Sequence, residues 1–92
     1  MYGTVARMRV KPGMEQQLMA QVQTAIPGMR GIFIYRMDAD PDEYYVAVLF
    51  ESKEAYVANA KSSEQDARYQ LMVAALESPP EWHDGEIVFP LA

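Results

Sequence analysis

The stretch Tyr44-Tyr45-Val46-Ala47-Val48-Leu49-Phe50-Glu51-Ser52-Lys53-Glu54-Ala55-Tyr56 decides the fold. Its first seven residues are mostly β-branched or aromatic, the composition of a strand. Side chains alternate across a strand, so Tyr44, Val46, Val48 and Phe50 share one side and Tyr45, Ala47 and Leu49 the other. Both sides are apolar. Ser52 then stands where a helix needs an N-cap, ahead of Lys53, Glu54 and Ala55, and a helix to about Ala60 is expected.

Just upstream, Ile32 to Met37 reads as a second strand, with Ile32 and Ile34 opposite Phe33, Tyr35 and Met37. The acidic run Asp38-Ala39-Asp40-Pro41-Asp42-Glu43 between the two is short enough for an antiparallel hairpin. It lacks the glycine and the bidentate glutamate of a calcium loop, so a solvated turn is expected rather than a cation site. Further upstream, Lys11-Pro12-Gly13 and Pro27-Gly28-Met29-Arg30-Gly31 are punctuation. Before the first lies a strand, Tyr2 to Val10, with Tyr2, Thr4, Ala6, Met8 and Val10 on one face. Between the two lies a helix from Gly13 to about Ala25, whose stripe is Met14, Leu18, Val22 and Ile26.

Downstream, Ser62 or Ser63 can cap another helix, with Glu64 and Asp66 in the first turn, where the helix dipole favours them. Leu71, Met72, Ala75 and Leu76 are expected to face inward. Ser78-Pro79-Pro80 ends this helix, and Glu86 to Phe89 reads as the last strand. The order is β-α-β-β-α-β, with the second helix broken near Lys61-Ser62. That is an α+β, ferredoxin-like single domain over residues 1–92, with a four-stranded antiparallel sheet and helices on one face. Helices cover one side of a sheet, yet both sides here are apolar. The expected cover for the other side is a second copy of the chain, a homodimer through the sheet face.

Composition removes several classes of function. The 92 residues carry 8 basic and 13 acidic side chains, a net charge of −5, which argues against a nucleic-acid partner or an anionic membrane surface. There is no cysteine, hence no disulfide, iron–sulfur cluster or thiolate zinc site. The longest apolar run is far too short to span a bilayer, and a cytoplasmic protein is expected.

Three features carry a resemblance: the loosely spaced Val5–Gly13 segment with its Val-Lys-Pro-Gly end, Gly31 with the hairpin, and Phe50-Glu51-Ser52-Lys53-Glu54-Ala55-Tyr56 running on through Asn59-Ala60-Lys61-Ser62. With these the chain resembles the antibiotic-biosynthesis-monooxygenase family of dimeric α+β barrels over nearly its whole length. The family includes oxygenases, isomerases and proteins without known activity. The heme-degrading branch uses an Asn, a Trp and a His. Those positions fall on Ala6, Asn59 and Tyr69 here, so heme degradation is not expected. A second branch oxidises activated phenols with dioxygen and neither metal nor flavin. Such chemistry needs a polar group to help ionise the phenol and a dry pocket to hold the resulting anion.

The resemblance to that branch implies a cofactor-independent monooxygenase acting on a small aromatic, phenol- or quinol-like substrate. Asn59, Tyr69 and His83 are the catalytic candidates, and Tyr35, Tyr56, Arg36 and Met72 the substrate-binding ones. Each has a plainer reading. Asn59 suits a turn near the helix break. His83, the one histidine, suits a surface hydrogen bond beside Asp84, and the tyrosines suit a sheet. Trp82 is expected to anchor the edge of the core or the dimer seam. Met8, Met14, Met19, Met37 and Met72 suit either an adaptable cavity wall or simple core filling. The alternatives to an oxygenase are a non-catalytic small-molecule-binding dimer and an isomerase or cyclase on the same barrel. A cavity of several hundred cubic ångströms with convergent polar groups would favour an enzyme, and a cavity plugged by Met and Tyr a relic.

Overall fold

The structure is a computed structural model that describes residues 1–21 and 26–89. In chain order its elements are β1 (Tyr2–Arg9), α1 (Glu15–Gln21), β2 (Met29–Arg36), β3 (Glu43–Phe50), α2 (Lys53–Ala60), α3 (Ser63–Ala74) and β4 (Glu81–Glu86). The strands form one sheet in the order β2-β3-β1-β4, every neighbouring pair antiparallel. This is the ferredoxin-like α+β arrangement that the sequence pattern implies.

Local chemistry accounts for the boundaries. Ser52 and Ser62 cap α2 and α3, their hydroxyls accepting from the amides of Ala55 and Gln65 at 3.1 Å each. The hairpin between β2 and β3 closes through Glu43 N donating to Asp40 O at 2.9 Å, and Asp42 N donates to the Asp40 carboxylate. Gly28 turns at a φ of +79°, a conformation that glycine adopts at no steric cost.

The core lies between the sheet and the helices. Ala6 and Met8 of β1 and Tyr44 and Val46 of β3 pack with Leu18 of α1, Met72 of α3 and Leu76 just beyond it. The even-numbered side of β1 and the Tyr44-Val46-Val48-Phe50 side of β3 therefore face the helices, as the alternation requires. Met14 and Met19 pack against this cluster. Val22, expected in the α1 stripe, lies outside the described residues.

Two expectations need correction. The last strand is Glu81–Glu86, not Glu86–Phe89. Pro79-Pro80 releases the chain directly into pairing with β1, and the ladder ends at Tyr2↔Glu86. Val88 and Phe89, apolar as they are, are left exposed. Leu71 does not face inward but is 52% exposed. The inward face of α3 runs Gln65, Arg68, Tyr69 and Met72, a spacing of three, four and seven residues that leaves Leu71 on the far side.

The sheet side away from the helices has no cover among the described residues. Val5, Phe33 and Tyr35 are about half exposed there. At one end of this side Arg7 and Arg9 pair with Glu43, Asp40 and Glu77, the closest contact being Arg9 Nη1 to Asp40 Oδ2 at 2.6 Å. None of the described helices is long and apolar enough to cross a membrane.

Candidate functional site

A cavity of about 410 Å³ opens between the helix-facing side of the sheet and the helices. Its walls are largely apolar: Met8, Val46, Val48 and Phe50 from the central strands, Ile32 from β2, and Leu18 and Met72 from the helices. Two groups of polar side chains interrupt them.

The first group is carried by the α2–α3 junction. Ser62 caps α3 and also donates from its hydroxyl to Asn59 O at 2.8 Å, which fixes the corner between the two helices. Asn59, Gln65 and Arg68 are thereby brought into a closed ring. Asn59 Nδ2 donates to Gln65 Oε1, Arg68 Nε donates to the same oxygen, and Arg68 Nη2 donates to Asn59 Oδ1, each at 3.2 Å. All three residues are partly buried and line the cavity. Asn59 is thus both a junction residue and a cavity residue.

The second group belongs to the sheet and α2. Cross-strand pairing sets Thr4 of β1 opposite Asp84 of β4, on the helix-facing side. Tyr56 of α2 reaches down and donates its hydroxyl to Asp84 Oδ1 at 2.8 Å. Its ring is held by Tyr2 and Phe50, at centroid distances of 5.3 and 5.5 Å. Desolvation, aided by the neighbouring carboxylate, pushes the Tyr56 hydroxyl up to about 12. Tyr56 is therefore a standing proton donor at neutral pH and not a base. Thr4 Oγ1 is buried without a hydrogen-bond partner among the described residues. It lies near Tyr56 Oη, close enough to temper that shift slightly, but not in bonding geometry.

The structure places the residues singled out from sequence as follows. Asn59, Tyr69, Tyr56 and Met72 all line the cavity. His83 does not. It pairs with Val5 across the strands, faces the uncovered side of the sheet and bonds Glu81 at 2.7 Å. Tyr35 is on that same side, and Arg36 is exposed at the end of β2, away from the cavity. Met8 and Met72 join the cavity wall, as does Met29, while the space between them stays open.

Sequence reading missed Thr4, Gln65, Arg68 and Asp84 as cavity residues; Trp82, expected at the edge of the core or the dimer seam, stands in the cavity wall. Gln65 and Arg68 were recoverable from the helical spacing with Tyr69 and Met72. Asp84 and Trp82 depended on where β4 begins. Among the described residues no three His, Asp or Glu side chains gather to hold a metal ion.

The sequence profile of the antibiotic biosynthesis monooxygenase family matches residues 1–70. The chain belongs to that family. The match ends within α3, so β4, with Trp82 and Asp84, lies beyond it. No curated protein matches the chain in sequence. Solved structures share its fold. A proposed antibiotic biosynthesis monooxygenase from Bordetella bronchiseptica is 21% identical with a TM-score of 0.77, over 96% of this chain and 97% of that one. One from Chloroflexus aurantiacus is 23% identical with a TM-score of 0.74, over 99% and 96%. A Mycobacterium tuberculosis protein is 15% identical with a TM-score of 0.79, over 99% and 98%. At these identities the likeness is one of fold.

Proposed function

We propose that this member of the antibiotic biosynthesis monooxygenase family is a cofactor-independent monooxygenase for a small aromatic, phenol- or quinol-like substrate, working as a homodimer joined through the open sheet face. The observation that carries the reading is the cavity. It is open rather than plugged by methionine and tyrosine, largely apolar, and served by polar groups at two places. Its volume falls in the range that small-molecule sites occupy.

The apolar walls select a flat hydrophobic ring system and keep water from the reacting carbon. Asp84 spends one oxygen on Tyr56 and keeps the other to accept a substrate hydroxyl proton. Asn59 retains an N–H beyond its bond to Gln65, and with it orients the substrate oxygen. Ionisation raises electron density on the ring, and the electron-rich carbon reduces dioxygen. One oxygen atom enters the substrate as a carbonyl in place of a methylene, and the other leaves as water with the two hydrogens. Tyr69 stands in the wall as a further hydroxyl. His83, across the sheet, takes no part in this reading.

The test is oxygen uptake by metal-stripped protein with dihydroxy-aromatic and anthrone-like compounds, beside Asn59→Ala and Asp84→Asn. Uptake above the spontaneous rate that falls in both variants supports the proposal. Uptake equal to the buffer blank across the panel sinks the oxygenase reading and leaves the binding-protein alternative.

A further inference from the structure

Arg68 combines partial burial with the lack of a countercharge. Arg7, Arg9 and Arg30 each meet a carboxylate within 3.4 Å, and Arg36, which meets none among the described residues, is exposed to water. Arg68 meets none among the described residues, in a protein with 13 acidic side chains. Its partners are two neutral amide oxygens, on Asn59 and Gln65. It is also partly withdrawn from water, in the wall of a largely apolar cavity.

A guanidinium so placed keeps its full charge, because it cannot deprotonate in a protein. The two amides hold its plane through Nε and one Nη2 hydrogen, but they supply no countercharge. The remaining N–H groups, including both on Nη1, have no protein partner among the described residues. A planar fork fixed in position, charged and unpaired inside a cavity matches an oxyanion that it can grip with two parallel bonds, and a singly charged carboxylate suits a largely apolar wall that also carries Asp84 better than a doubly charged phosphate does. Asp84 also lines the cavity, but no ion pair joins it to Arg68 among the described residues. Asp66, at the cavity edge, is exposed and makes no ion pair with Arg68.

We infer that Arg68, held by Asn59 and Gln65, is an oxyanion-binding subsite, and that the ligand of this cavity is an aromatic carboxylic acid. The inference rests on the proposal that the cavity takes a small aromatic, and it narrows that class to acids. It also gives Asn59 a second duty, that of aiming Arg68.

The single tryptophan, Trp82, lines the cavity and reports on it. The experiment is titration of Trp82 fluorescence with 2-naphthoate and with 2-naphthamide, which share a shape and differ in charge. Wild type should bind the carboxylate at least about ten-fold more tightly, and the preference should shrink as salt is added. Arg68→Gln should bring the two dissociation constants within about three-fold of each other. Arg68→Lys, which keeps the charge and loses the fork, should retain an intermediate preference. Thermal melts establish that each variant is folded, and if Arg68→Gln fails to fold, Arg68→Lys decides between fork and bulk charge. Equal affinities in wild type, or a preference that survives Arg68→Gln, would overturn the subsite while leaving the aromatic cavity standing. Failure of both compounds to bind would overturn the subsite and the aromatic cavity together. Neither probe is a substrate for oxygenation, so the result is independent of whether oxygen uptake is found.

Discussion

Thr4→Val should make the protein more stable. Thr4 is 4% exposed, and its hydroxyl finds no partner among the described residues. Burying a hydroxyl without a compensating bond costs about 1–3 kcal/mol by mutational measures. Valine replaces that oxygen with a methyl group of similar shape and suits a central strand at least as well. Part of the gain is lost because Tyr56 Oη lies near, so about 1 kcal/mol is the expected net effect. For a domain of this size that raises the melting temperature by roughly 4–8 °C. Thr4→Ser makes the contrast. It keeps the orphan hydroxyl and removes a buried methyl, and should cost about 1 kcal/mol. Thermal and urea unfolding followed by circular dichroism would measure both, with an unchanged urea slope as the sign of a native-state effect. A Thr4→Val protein that melts at or below wild type would refute the reasoning, and would mean that Tyr56 satisfies the hydroxyl after all.

Three further outcomes are expected. Ultraviolet titration should show Tyr56 ionising near pH 12, and Asp84→Asn should bring it down; because its folded value is raised, the stability it contributes is whole below the ordinary tyrosine range near 10 and is lost as pH rises through 12. Arg9 holds the Asp40 carboxyl, and Arg7 the Glu43 carboxyl, below their usual values. Groups lowered in the folded state contribute above their unfolded values and lose that contribution as pH falls, so the melting temperature should drop below about pH 4, and less steeply in Arg9→Gln; a flat profile from pH 5 to 2 would contradict this. Phe33→Asp, on the uncovered sheet side, should convert the proposed dimer to a monomer in sedimentation velocity without lowering helix content, and an unchanged sedimentation coefficient would speak against that face as the seam.

Period and punctuation made most of the fold readable. The Tyr44–Phe50 alternation, the serine caps and the proline marks each act within a few residues, so they survive without tertiary context. The last strand was misread because local apolarity and pairing disagree. Ile87-Val88-Phe89 is the better strand by composition, but Glu81–Glu86 is what lies opposite β1. That misreading carried the site with it. With Trp82, His83 and Asp84 taken as a loop, nothing assigned them to sides, whereas strand geometry sends Trp82 and Asp84 to the cavity and His83 to the opposite side. Asn59, Tyr56, Tyr69 and Met72 were named through the family resemblance, and all four line the cavity. The missing countercharge at Arg68 was not legible, since the absence of a partner is a property of the packed molecule.

The strand β4 hydrogen-bonds to β1 alone, and all six of its residues are exposed in the single chain. A strand held along one edge opens more readily than the central pair, so its amides are among the first of the sheet to exchange with solvent deuterium. Trp82 and Asp84 also make it a wall of the cavity. Whatever fills the cavity must press on this edge strand and slow that exchange. An edge of the sheet thus doubles as a gauge of occupancy, one that registers a bound compound whether or not any chemistry follows.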